Sequence, residues 1–459
     1  MYRTREEQLK ALNEIYEKKR NSITVLYGRD GIGKTELVRT FNKNKRYFYF
    51  NCPSLSLKEL FICLKSQINI LNKDNPLTDE TSNNLISVLE YIYTNTDGEG
   101  KINIIIDEFQ LFVKVYEKLI NDFIIFSKNK DYENKLNFIL ISSDVKWVET
   151  QMAQDIGPAV LAFSRIIKLK EFDIVDLIGA KPQLDIDDTI RMYSVFGGVA
   201  SYINLYNENK SFKDNIIKLA LNKDGVLFHE ASRLLKNDLR ELSQYNAILC
   251  AMAAGNTKLN DLYERTGFSR AKISVYLKNL IDIDIVEKYF SLDIGSYANT
   301  KKGLYRIKDN FINFWYRCVY PYISFLEFSD PSNFYDSHIK DQLEELFKIN
   351  YVNFCREYLI LLIKYKKIDF EYVKSGGWYG KSGNIDICIK GNEGEVLIGS
   401  CKWEGMYGEK DLNMLLDELK EAKIKATKII LFSSEGFTRD IITVAEKNSS
   451  VTLIENSDF

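Results

Sequence analysis

Short apolar runs alternate with amphipathic stretches over the first 180 residues of the chain. Between the runs, apolar residues recur at the three- and four-residue spacing of a helix, for instance over 57–71 and 85–93. Strands that alternate with helices predict a parallel sheet covered by helices on both faces. The predicted strands are 23–27, 46–52, 102–106, 136–141 and 166–169.

The pattern becomes helical after Pro182 and changes again near residue 242. Helical spacing runs over 188–196 and from Ala200 onwards. Three short helices and two strand candidates follow, an order that is typical of a winged helix-turn-helix. These five elements are predicted at 245–253, 259–266, 269–280, 285–290 and 304–307.

Pro321 and Pro331 flank a predicted loop region, after which helix and strand patterns alternate again. A long helix comes first, then a strand pair around the glycines of 391–394, then a helix and two more strands. This order predicts a second, smaller α/β domain. Its elements are predicted at 339–364, 385–389, 396–403, 412–426, 428–433 and 451–454.

A glycine-rich loop lies between the first predicted strand and the following helix. Residues 28–35, GRDGIGKT, have the spacing of a Walker A loop. Glycines permit the dihedrals with which consecutive N–H groups wrap a polyphosphate, and the next helix points its positive end at the same charge. Lys34 is expected to reach the β- and γ-phosphates of ATP, and Thr35 to bind Mg²⁺. The predicted phosphate-binding residues are Gly28, Asp30, Gly31, Ile32, Gly33, Lys34 and Thr35.

Two acidic residues end the third predicted strand. Ligands of open α/β sheets bind at the carboxyl ends of the strands, which is where Asp107 and Glu108 would emerge. We expect Asp107 to hold Mg²⁺ through water, and Glu108 to orient and deprotonate the attacking water. The pair therefore favours ATP hydrolysis over passive binding.

Three further residues are candidate sensors of the γ-phosphate. Ser142 and Ser143 end the fourth predicted strand, where a polar strand end without a functional role is an equally good interpretation. Arg165, next to the fifth strand, is a candidate on spacing alone.

The composition is that of a globular protein: 45% of the residues are hydrophobic and 27% are charged. A net charge of -2 gives no overall attraction to nucleic acid or anionic lipid, although a local basic face stays open. The seven scattered cysteines form no C-x-x-C pair, and only His229 and His338 accompany them, so reduced thiols are expected rather than a zinc site. The polar N-terminal sequence and the short apolar runs favour a cytoplasmic protein with no membrane partner.

Further segments resemble, in order and spacing, the archaeal-type ATPase family of STAND-related P-loop NTPases. These landmarks are Arg5-Glu6, residues 28–35, 106–110 (IDEFQ), 196–202 (FGGVASY), 234–241 (LLKNDLRE), 305–311 (YRIKDNF) and 314–316 (FWY). The resemblance implies a P-loop ATPase core over 1–180, a helical lid over 181–241, a winged helix-turn-helix over 242–325 and a domain similar to PD-(D/E)XK restriction-type nucleases over 326–459. It also implies that the winged helix often serves in an ATP-driven switch.

The nuclease pattern is incomplete in the last domain. It needs an Asp on one strand and Glu-x-Lys on the next, often with a Glu on the preceding helix, because carboxylates hold Mg²⁺ and the lysine positions water. Asp386 and Lys402 match, but Ser400 and Val352 stand where the two glutamates are expected. One carboxylate and one lysine make a weak metal site, so we expect a degenerate nuclease site.

The predicted winged helix-turn-helix has only a small surplus of positive charge with which to attract DNA. Arg270 and Lys272, on its third predicted helix, are the candidate DNA contacts. Residues 257–306 contain nine Lys and Arg against six Asp and Glu, a small surplus. An internal regulatory module with a solvated polar face is the alternative.

Three functions stay open at this point. The leading one is a slow Mg-ATPase that works as a conformational switch, with ATP, ADP and Mg²⁺ as ligands, DNA or another protein as the partner, and oligomerisation on ATP binding as an option. The alternatives are an ATP-regulated DNA nuclease and an ATP-dependent DNA-binding regulator.

Overall fold

The computed structural model describes residues 5–71, 76–77, 84–292, 303–380 and 383–459. The chain forms two compact units. Unit 1 comprises Met1–Phe172 and Val199–Ser201, and unit 2 comprises Asp173–Gly198 and Tyr202–Phe459.

Unit 1 is built on a five-stranded parallel sheet. Its strands are β1 (Ser22–Tyr27), β2 (Tyr47–Asn51), β3 (Ile102–Asp107), β4 (Leu136–Ser142) and β5 (Arg165–Lys168). They lie in the order β2-β3-β4-β1-β5, and every neighbouring pair is parallel. Strands β1, β3 and β4 are buried at every position because alternate side chains enter two separate cores: Ile104 and Ile106 pack in one, and Ile105 in the other. The parallel sheet predicted from the sequence is confirmed.

Eight helices connect and cover these strands within the described part of unit 1. The helix predicted over 57–71 is confirmed, and the one predicted over 85–93 extends two residues further. Short 3-10 turns lie at Lys130–Tyr132 and Gly157–Ala162. The helices are α1 (Glu6–Glu17), α2 (Lys34–Phe41), α3 (Leu57–Leu71), α4 (Leu85–Asn95), α5 (Phe109–Val115), α6 (Leu119–Lys128), α7 (Val145–Thr150) and α8 (Met152–Ile156).

The first part of unit 2 is helical. Its first helix begins with a capping box, in which the side chains of Asp173 and Asp176 each accept the other residue's backbone N–H. A π-helical turn at Ile217–Leu221 prolongs the fourth helix of this part. The helices are α9 (Ile174–Ala180), α10 (Ile186–Phe196), α11 (Ala200–Leu205), α12 (Phe212–Ile216) and α13 (Glu230–Asp238), and α11 begins within the Val199–Ser201 segment of unit 1.

Three helices and an antiparallel strand pair follow in the predicted order. They are α14 (Leu242–Ala253), α15 (Leu259–Thr266), α16 (Arg270–Asp282), β6 (Val286–Tyr289) and β7 (Leu304–Ile307). Helix α16 begins at the predicted place because the Ser269 side chain accepts the N–H of Lys272 as its N-cap. Residues 293–302, between the two strands, lie outside the described residues.

A long helical stretch leads to the last domain. It comprises α17 (Asn310–Phe314), α18 (Ile323–Leu326), α19 (Pro331–Phe334) and α20 (Lys340–Lys364), with π-helical turns at Trp315–Val319 and Tyr335–Ile339 and a 3-10 turn at Tyr320–Tyr322. The helix predicted from residue 339 therefore begins earlier, at Pro331. Asp330 caps it by accepting the N–H groups of Ser332 and Asn333, and proline is well suited to the first helical turn.

The C-terminal domain contains a mixed five-stranded sheet. Its strands are β8 (Tyr372–Tyr379), β9 (Asn384–Gly391), β10 (Val396–Lys402), β11 (Lys428–Ser433) and β12 (Val451–Glu455), and its helices are α21 (Glu409–Ala422) and α22 (Arg439–Lys447). The order is β12-β11-β10-β9-β8, with antiparallel pairing from β8 to β10 and parallel pairing from β10 to β12. The predicted smaller α/β domain is thus present as a sheet domain.

Two further findings concern the whole set of described residues. All seven cysteines are free. Within the described ranges, none of the helices has both the length and the apolar character needed to cross a membrane.

Candidate functional site

The Walker A loop, residues 28–35, leaves the carboxyl end of β1 and enters α2. Gly31 and Gly33 adopt φ values of +79° and +93°, which side-chain-bearing residues rarely take. A Cβ at Gly28 would clash with the backbone carbonyl of Leu169, so the chain also needs glycine there for close approach. The loop is therefore held in a tight, glycine-dependent conformation in front of the α2 N-terminus.

Lys34 is buried inside this loop, with 6% of its surface exposed. Its Nζ donates hydrogen bonds to the carbonyl oxygens of Gly28, at 2.8 Å, and Arg29, at 2.9 Å. Burial lowers the pKa of Lys34, and the charges of Glu108, Asp30 and Asp107 act in the opposite direction. The loop thus encloses a cation whose hydrogen-bond partners are neutral carbonyl groups.

Asp107, at the carboxyl end of β3, faces Thr35. The Thr35 hydroxyl donates to Asp107 Oδ2 at 3.1 Å, and the Tyr49 hydroxyl donates to the same oxygen at 2.7 Å. The N–H of Glu108 donates to Oδ1 at 3.0 Å. A hydroxyl and a carboxylate in contact are the oxygen groups that Mg²⁺ takes from proteins, so the residues present fit this ion.

Glu108 follows in a left-handed backbone conformation, with φ +53°. This is rare for a residue other than glycine and is found at sites where the surrounding structure fixes the residue. Its Oε2 accepts a hydrogen bond from the Ser143 hydroxyl at 2.6 Å and another from the Gln110 amide. The carboxylate is therefore oriented by two donors beside Asp107.

The three sensor candidates lie in different places. Ser143 contacts Glu108, as described. Ser142 is fully buried: its hydroxyl accepts the N–H of Asp144 and its carbonyl accepts the N–H of Gly28, at 3.2 Å, so it supports the base of the loop. Arg165 begins β5 opposite Thr24, whereas the loop follows Tyr27 at the other end of β1. The structure does not bring Arg165 to the loop, and its guanidinium lies 3.7 Å from the carboxylate of Glu14.

Several residues that the sequence interpretation assigned no role also hold the site. Arg5 donates to the carbonyl oxygens of Ile32 and Lys170, at 3.3 and 2.7 Å, with its guanidinium 4.2 Å from the centre of the Phe172 ring. The N–H of Ser201 donates to the Gly31 carbonyl at 2.9 Å. Both residues belong to segments that carry the family resemblance, and that resemblance was the only indication in the sequence that they contribute to the site.

Tyr49 and Gln110 are two more contributors to the site. Burial raises the pKa of Tyr49, and its hydrogen bond to Asp107 acts in the same direction, so the hydroxyl stays protonated as a donor. Gln110 is part of the IDEFQ segment, but β2 carries no chemical motif around Tyr49 that would have indicated its contact.

The predicted nuclease-type residues lie together on the second sheet. Ile387 pairs with Gly399, so Asp386 and Ser400 share one face of the β9–β10 pair. Asp386 Oδ2 accepts the N–H of Cys401 at 2.9 Å, and burial raises the pKa of Asp386 to about 6. The carboxylate is thus already used to join two strands.

The other two residues of this group also have partners. Lys402 forms an ion pair with Asp411, at 2.7 Å, and the Tyr407 hydroxyl donates to Ser400 Oγ at 3.0 Å. Asp386, Lys402 and Val352 line a common cavity of about 670 Å³ in unit 2.

Arg270 and Lys272 lie at the start of α16. The Arg270 side chain is exposed, donates to Asn260 at 2.9 Å and lies 4.5 Å from the centre of the Tyr263 ring. The ammonium of Lys272 lies 4.6 Å from the centre of the Phe268 ring. Both cations therefore contact side chains of neighbouring residues in the same group of helices.

Two family models match parts of this chain. Residues 2–205 match a family described as an ATPase domain predominantly from Archaea. Residues 315–427 match a family described as archaeal and bacterial proteins of unknown function. The first match covers the parallel sheet, the Walker A loop and the Val199–Ser201 segment.

Similar proteins are also found among curated sequences and solved structures. An uncharacterized protein of Methanocaldococcus jannaschii is 27% identical over 433 residues, which is 92% of each chain. The Walker-type ATPase of Pyrococcus abyssi has a TM-score of 0.50 and 16% identity, over 68% of this chain and 95% of that one. The ORC2 protein of Aeropyrum pernix, in ADPNP–ADP complexes, has a TM-score of 0.43 and 14% identity, over 75% of this chain and 94% of that one.

These findings define the class of protein. The family match and the shared fold of the Pyrococcus abyssi protein identify an ATPase-like, P-loop α/β domain, followed by a separate C-terminal sheet domain.

Proposed function

We propose that the Walker A loop binds Mg-ATP and that the chain hydrolyses it slowly as a conformational switch. The observation that supports this most strongly is one cluster: buried Lys34, the 3.1 Å contact between Thr35 and Asp107, and Glu108 beside them. Each of these groups has the chemistry that a nucleoside triphosphate requires.

Different groups of the site bind the phosphates and the Mg²⁺ ion. Backbone N–H groups of 30–35 and the α2 N-terminus donate to phosphate oxygens, and Lys34 exchanges its carbonyl partners for the β- and γ-phosphates. Thr35 and Asp107 hold Mg²⁺, which, when bound, neutralises charge on the phosphates.

Glu108 is proposed as the general base. The donors Ser143 and Gln110 fix its carboxylate, so that it can orient a water molecule and accept a proton from it as that water attacks the γ-phosphorus. The products are ADP and inorganic phosphate.

A steady-state ATPase assay with Mg²⁺ tests this assignment. The wild-type chain is expected to release phosphate, and Lys34→Ala to reduce the rate to background. Lys43→Ala is the matched control, because Lys43 is exposed just after α2. Phosphate release that is unchanged in Lys34→Ala would refute the assignment.

The switch is proposed from the hydrogen bond between Ser201 and Gly31. Ser201 belongs to α11, and the chain continues from this helix directly into unit 2. A change in the conformation of the Walker A loop on hydrolysis would therefore alter this hydrogen bond and shift the start of α11. We expect ATP to alter the limited-proteolysis pattern or the oligomeric state measured by light scattering, and Lys34→Ala to lose that response. Identical patterns with and without ATP would count against the switch.

We also propose that the C-terminal domain is a nuclease-like fold whose cleavage site is degenerate. Asp386 and Lys402 each have a partner within the domain, and Ser400 supplies no charge. Incubation with plasmid and linear DNA plus Mg²⁺ or Mn²⁺ is expected to leave both intact. Cleavage that Asp386→Ala abolishes would instead support the alternative, an ATP-regulated nuclease.

Helices α14–α16 with β6 and β7 are proposed as a winged helix-turn-helix that acts as an internal module of the ATPase. The packing of Arg270 and Lys272 on Asn260, Tyr263 and Phe268 favours this over DNA reading. Salt-dependent DNA binding that falls in the Arg270→Ala, Lys272→Ala double variant would favour the alternative, a DNA-binding regulator.

A further inference from the structure

Unit 2 contains a cavity of about 670 Å³ that the ATPase site does not use. Its wall is formed by the end of α14, the strands β6 and β7, the start of the helical stretch after α17, α20, and the strands β8–β10. The volume is within the range of about 300–1,000 Å³ that is typical of small-molecule sites. The question is which chemistry this wall would accept.

The cavity wall is rich in cations. It contains five basic side chains against three acidic ones: Arg306, Arg317, Lys348, Arg356 and Lys402 against Glu345, Asp386 and Glu404. Three of the basic groups are neutralised by ion pairs, Arg306 with Glu287 at 2.6 Å, Lys348 with Glu404 at 3.2 Å, and Lys402 with Asp411 at 2.7 Å.

Two guanidinium groups of the wall, those of Arg317 and Arg356, form no ion pair among the described residues. Arg317 has a buried Nε that finds no hydrogen-bond acceptor there. Arg356 donates to the neutral side chain of Asn353, at 2.9 Å. Burial, followed by the nearby charge of Arg306, lowers the pKa of Arg356, and the charges of Glu357 and Glu287 act in the opposite direction. Both side chains are partly buried, and a cation without an ion pair is costly in such surroundings, so the two together favour an anionic ligand.

Guanidinium groups distinguish among anions by geometry. Their planar set of donors matches the oxygens of a phosphate or carboxylate in a bidentate manner. The cavity also has an aromatic wall: the rings of Tyr289 and Tyr379 lie 5.4 Å apart at 73°, and the guanidinium of Arg306 lies 4.9 Å from the centre of the Tyr289 ring. Aromatic faces bind planar rings such as nucleobases by stacking.

We propose that this cavity binds a small nucleotide, with Arg317 and Arg356 on its phosphate and the rings of Tyr289 and Tyr379 against its base. This site is separate from the Walker A loop and does not depend on ATP hydrolysis. The ligand class is a free mono- or dinucleotide, since the wall combines a phosphate-binding pair with ring surfaces in a volume suited to a small molecule.

Calorimetric titration of the full-length Lys34→Ala variant tests the proposal, because any binding at the Walker A loop is then removed. The probes are the four 5′-mononucleotides AMP, GMP, CMP and UMP, the dinucleotide pApA, adenosine as a phosphate-free control, and a single-stranded 20-nucleotide DNA. We expect at least one of the phosphorylated small probes to bind and adenosine not to bind.

Variants at the cavity link this binding to the two arginines. Arg317→Gln and Arg356→Lys, each added to Lys34→Ala, should weaken binding about tenfold or more, because a hydrogen bond to a charged group is lost or misplaced. Lys348→Glu places a negative charge on the cavity wall and should also weaken binding of a phosphorylated probe. Because the Lys348 side chain is half-exposed, this variant does not disturb buried packing. Arg439→Gln, exposed at the start of α22, is the matched control and should bind as the parent does.

The contrary results are specific. No binding of any small probe at millimolar concentration would refute the proposal, and so would binding that is equal in the cavity variants and in the Arg439→Gln control. Binding of the 20-nucleotide strand without any small probe, weakened by the cavity variants and not by the Arg270→Ala, Lys272→Ala double variant, would assign the cavity to nucleic acid instead. Wild-type ATPase activity, measured separately, is unaffected by any of these outcomes, so failure here is distinguishable from failure of the ATPase assignment.

Discussion

Each of the two units of this protein contains an acidic residue on its sheet and a lysine, and the contacts of these residues differ between the units. In unit 1, Asp107 contacts hydroxyl groups of Thr35 and Tyr49, and Lys34 contacts backbone carbonyls. In unit 2, Asp386 accepts a backbone N–H from the neighbouring strand, and Lys402 is paired with a carboxylate.

The difference lies in how readily each contact is exchanged. A lysine held by neutral carbonyls gains charge–charge attraction when a phosphate replaces them, whereas Lys402 would have to give up an ion pair first. Similarly, a metal ion can take hydroxyl and carboxylate oxygens that already touch, while Asp386 has to leave a strand-joining hydrogen bond. We therefore expect the same residue types to form a ligand site in unit 1 and structural contacts in unit 2.

The largest effect is expected at Glu108. Glu108→Gln should lower the rate of ATP hydrolysis by about 10²–10⁴-fold, because it removes the proposed base. ATP binding should remain, since Lys34, Thr35 and Asp107 are untouched. Single-turnover hydrolysis and equilibrium ATP binding measure the two quantities, with Glu36→Gln, exposed on α2, as the control. Equal turnover in the two variants would remove Glu108 from the mechanism.

The next effect concerns Mg²⁺ and distinguishes the two acidic residues. Asp107→Asn should raise the Mg²⁺ concentration needed for half-maximal ATPase activity about tenfold or more, because a charged oxygen ligand is lost. Asp386→Asn should leave this concentration unchanged. A Mg²⁺ titration of activity checks both, and a shift in Asp386→Asn would show that the second sheet does contribute a metal site.

A smaller effect is expected in the pH dependence of stability. The folded protein raises the pKa of Asp386 to about 6, so it holds this proton more tightly than the unfolded chain does. The resulting stabilisation is complete below the ordinary pKa of an aspartate and is lost as the pH rises through about 6. Asp386→Asn does not titrate. It should therefore gain stability relative to the wild type, by about 1–2 kcal/mol, between pH 4.5 and 7.5.

Urea unfolding at several pH values provides that measurement. Subtracting the wild-type curve from the variant curve cancels the other titrating groups. A difference that stays constant from pH 4.5 to 7.5 would mean that Asp386 is not perturbed by folding.

The smallest effect is expected at Arg165. Arg165→Ala should change ATPase activity less than about twofold, because its guanidinium lies at the far end of β5 in a half-exposed pair of small energetic value. A tenfold loss in the steady-state assay would show that Arg165 reaches the nucleotide in another conformation.

The parts of the fold set by local pattern were predictable from the sequence. Buried parallel strands such as β3 and β4 are continuous apolar runs, and the Walker A glycines stand between a strand and a helix. Strand β8 was missed because two irregularities in its register and its glycine pair interrupt any alternation. The start of the long helix at Pro331 was missed because proline was interpreted as a break, whereas here Asp330 caps it.

The limits of sequence reasoning at the sites have a different cause. The positions of Asp107 and Glu108 beside the Walker A loop were predictable because ligands of open α/β sheets bind at the carboxyl ends of the strands, where β3 ends. The contacts of Tyr49, Ser201 and Arg5 depend on segments far apart in sequence, and no local pattern encodes them. The place of Arg165 follows from strand direction: in a parallel sheet, the first residue of a strand lies at the edge opposite the loop.

The most direct test of the account is Mg²⁺-dependent ATP binding by the wild type, Lys34→Ala and Lys402→Ala, measured side by side at equilibrium. The account predicts that wild type and Lys402→Ala bind ATP with the same Mg²⁺-dependent affinity and that Lys34→Ala loses this binding. Mg²⁺-dependent binding that survives in Lys34→Ala, or that disappears in Lys402→Ala, would contradict it.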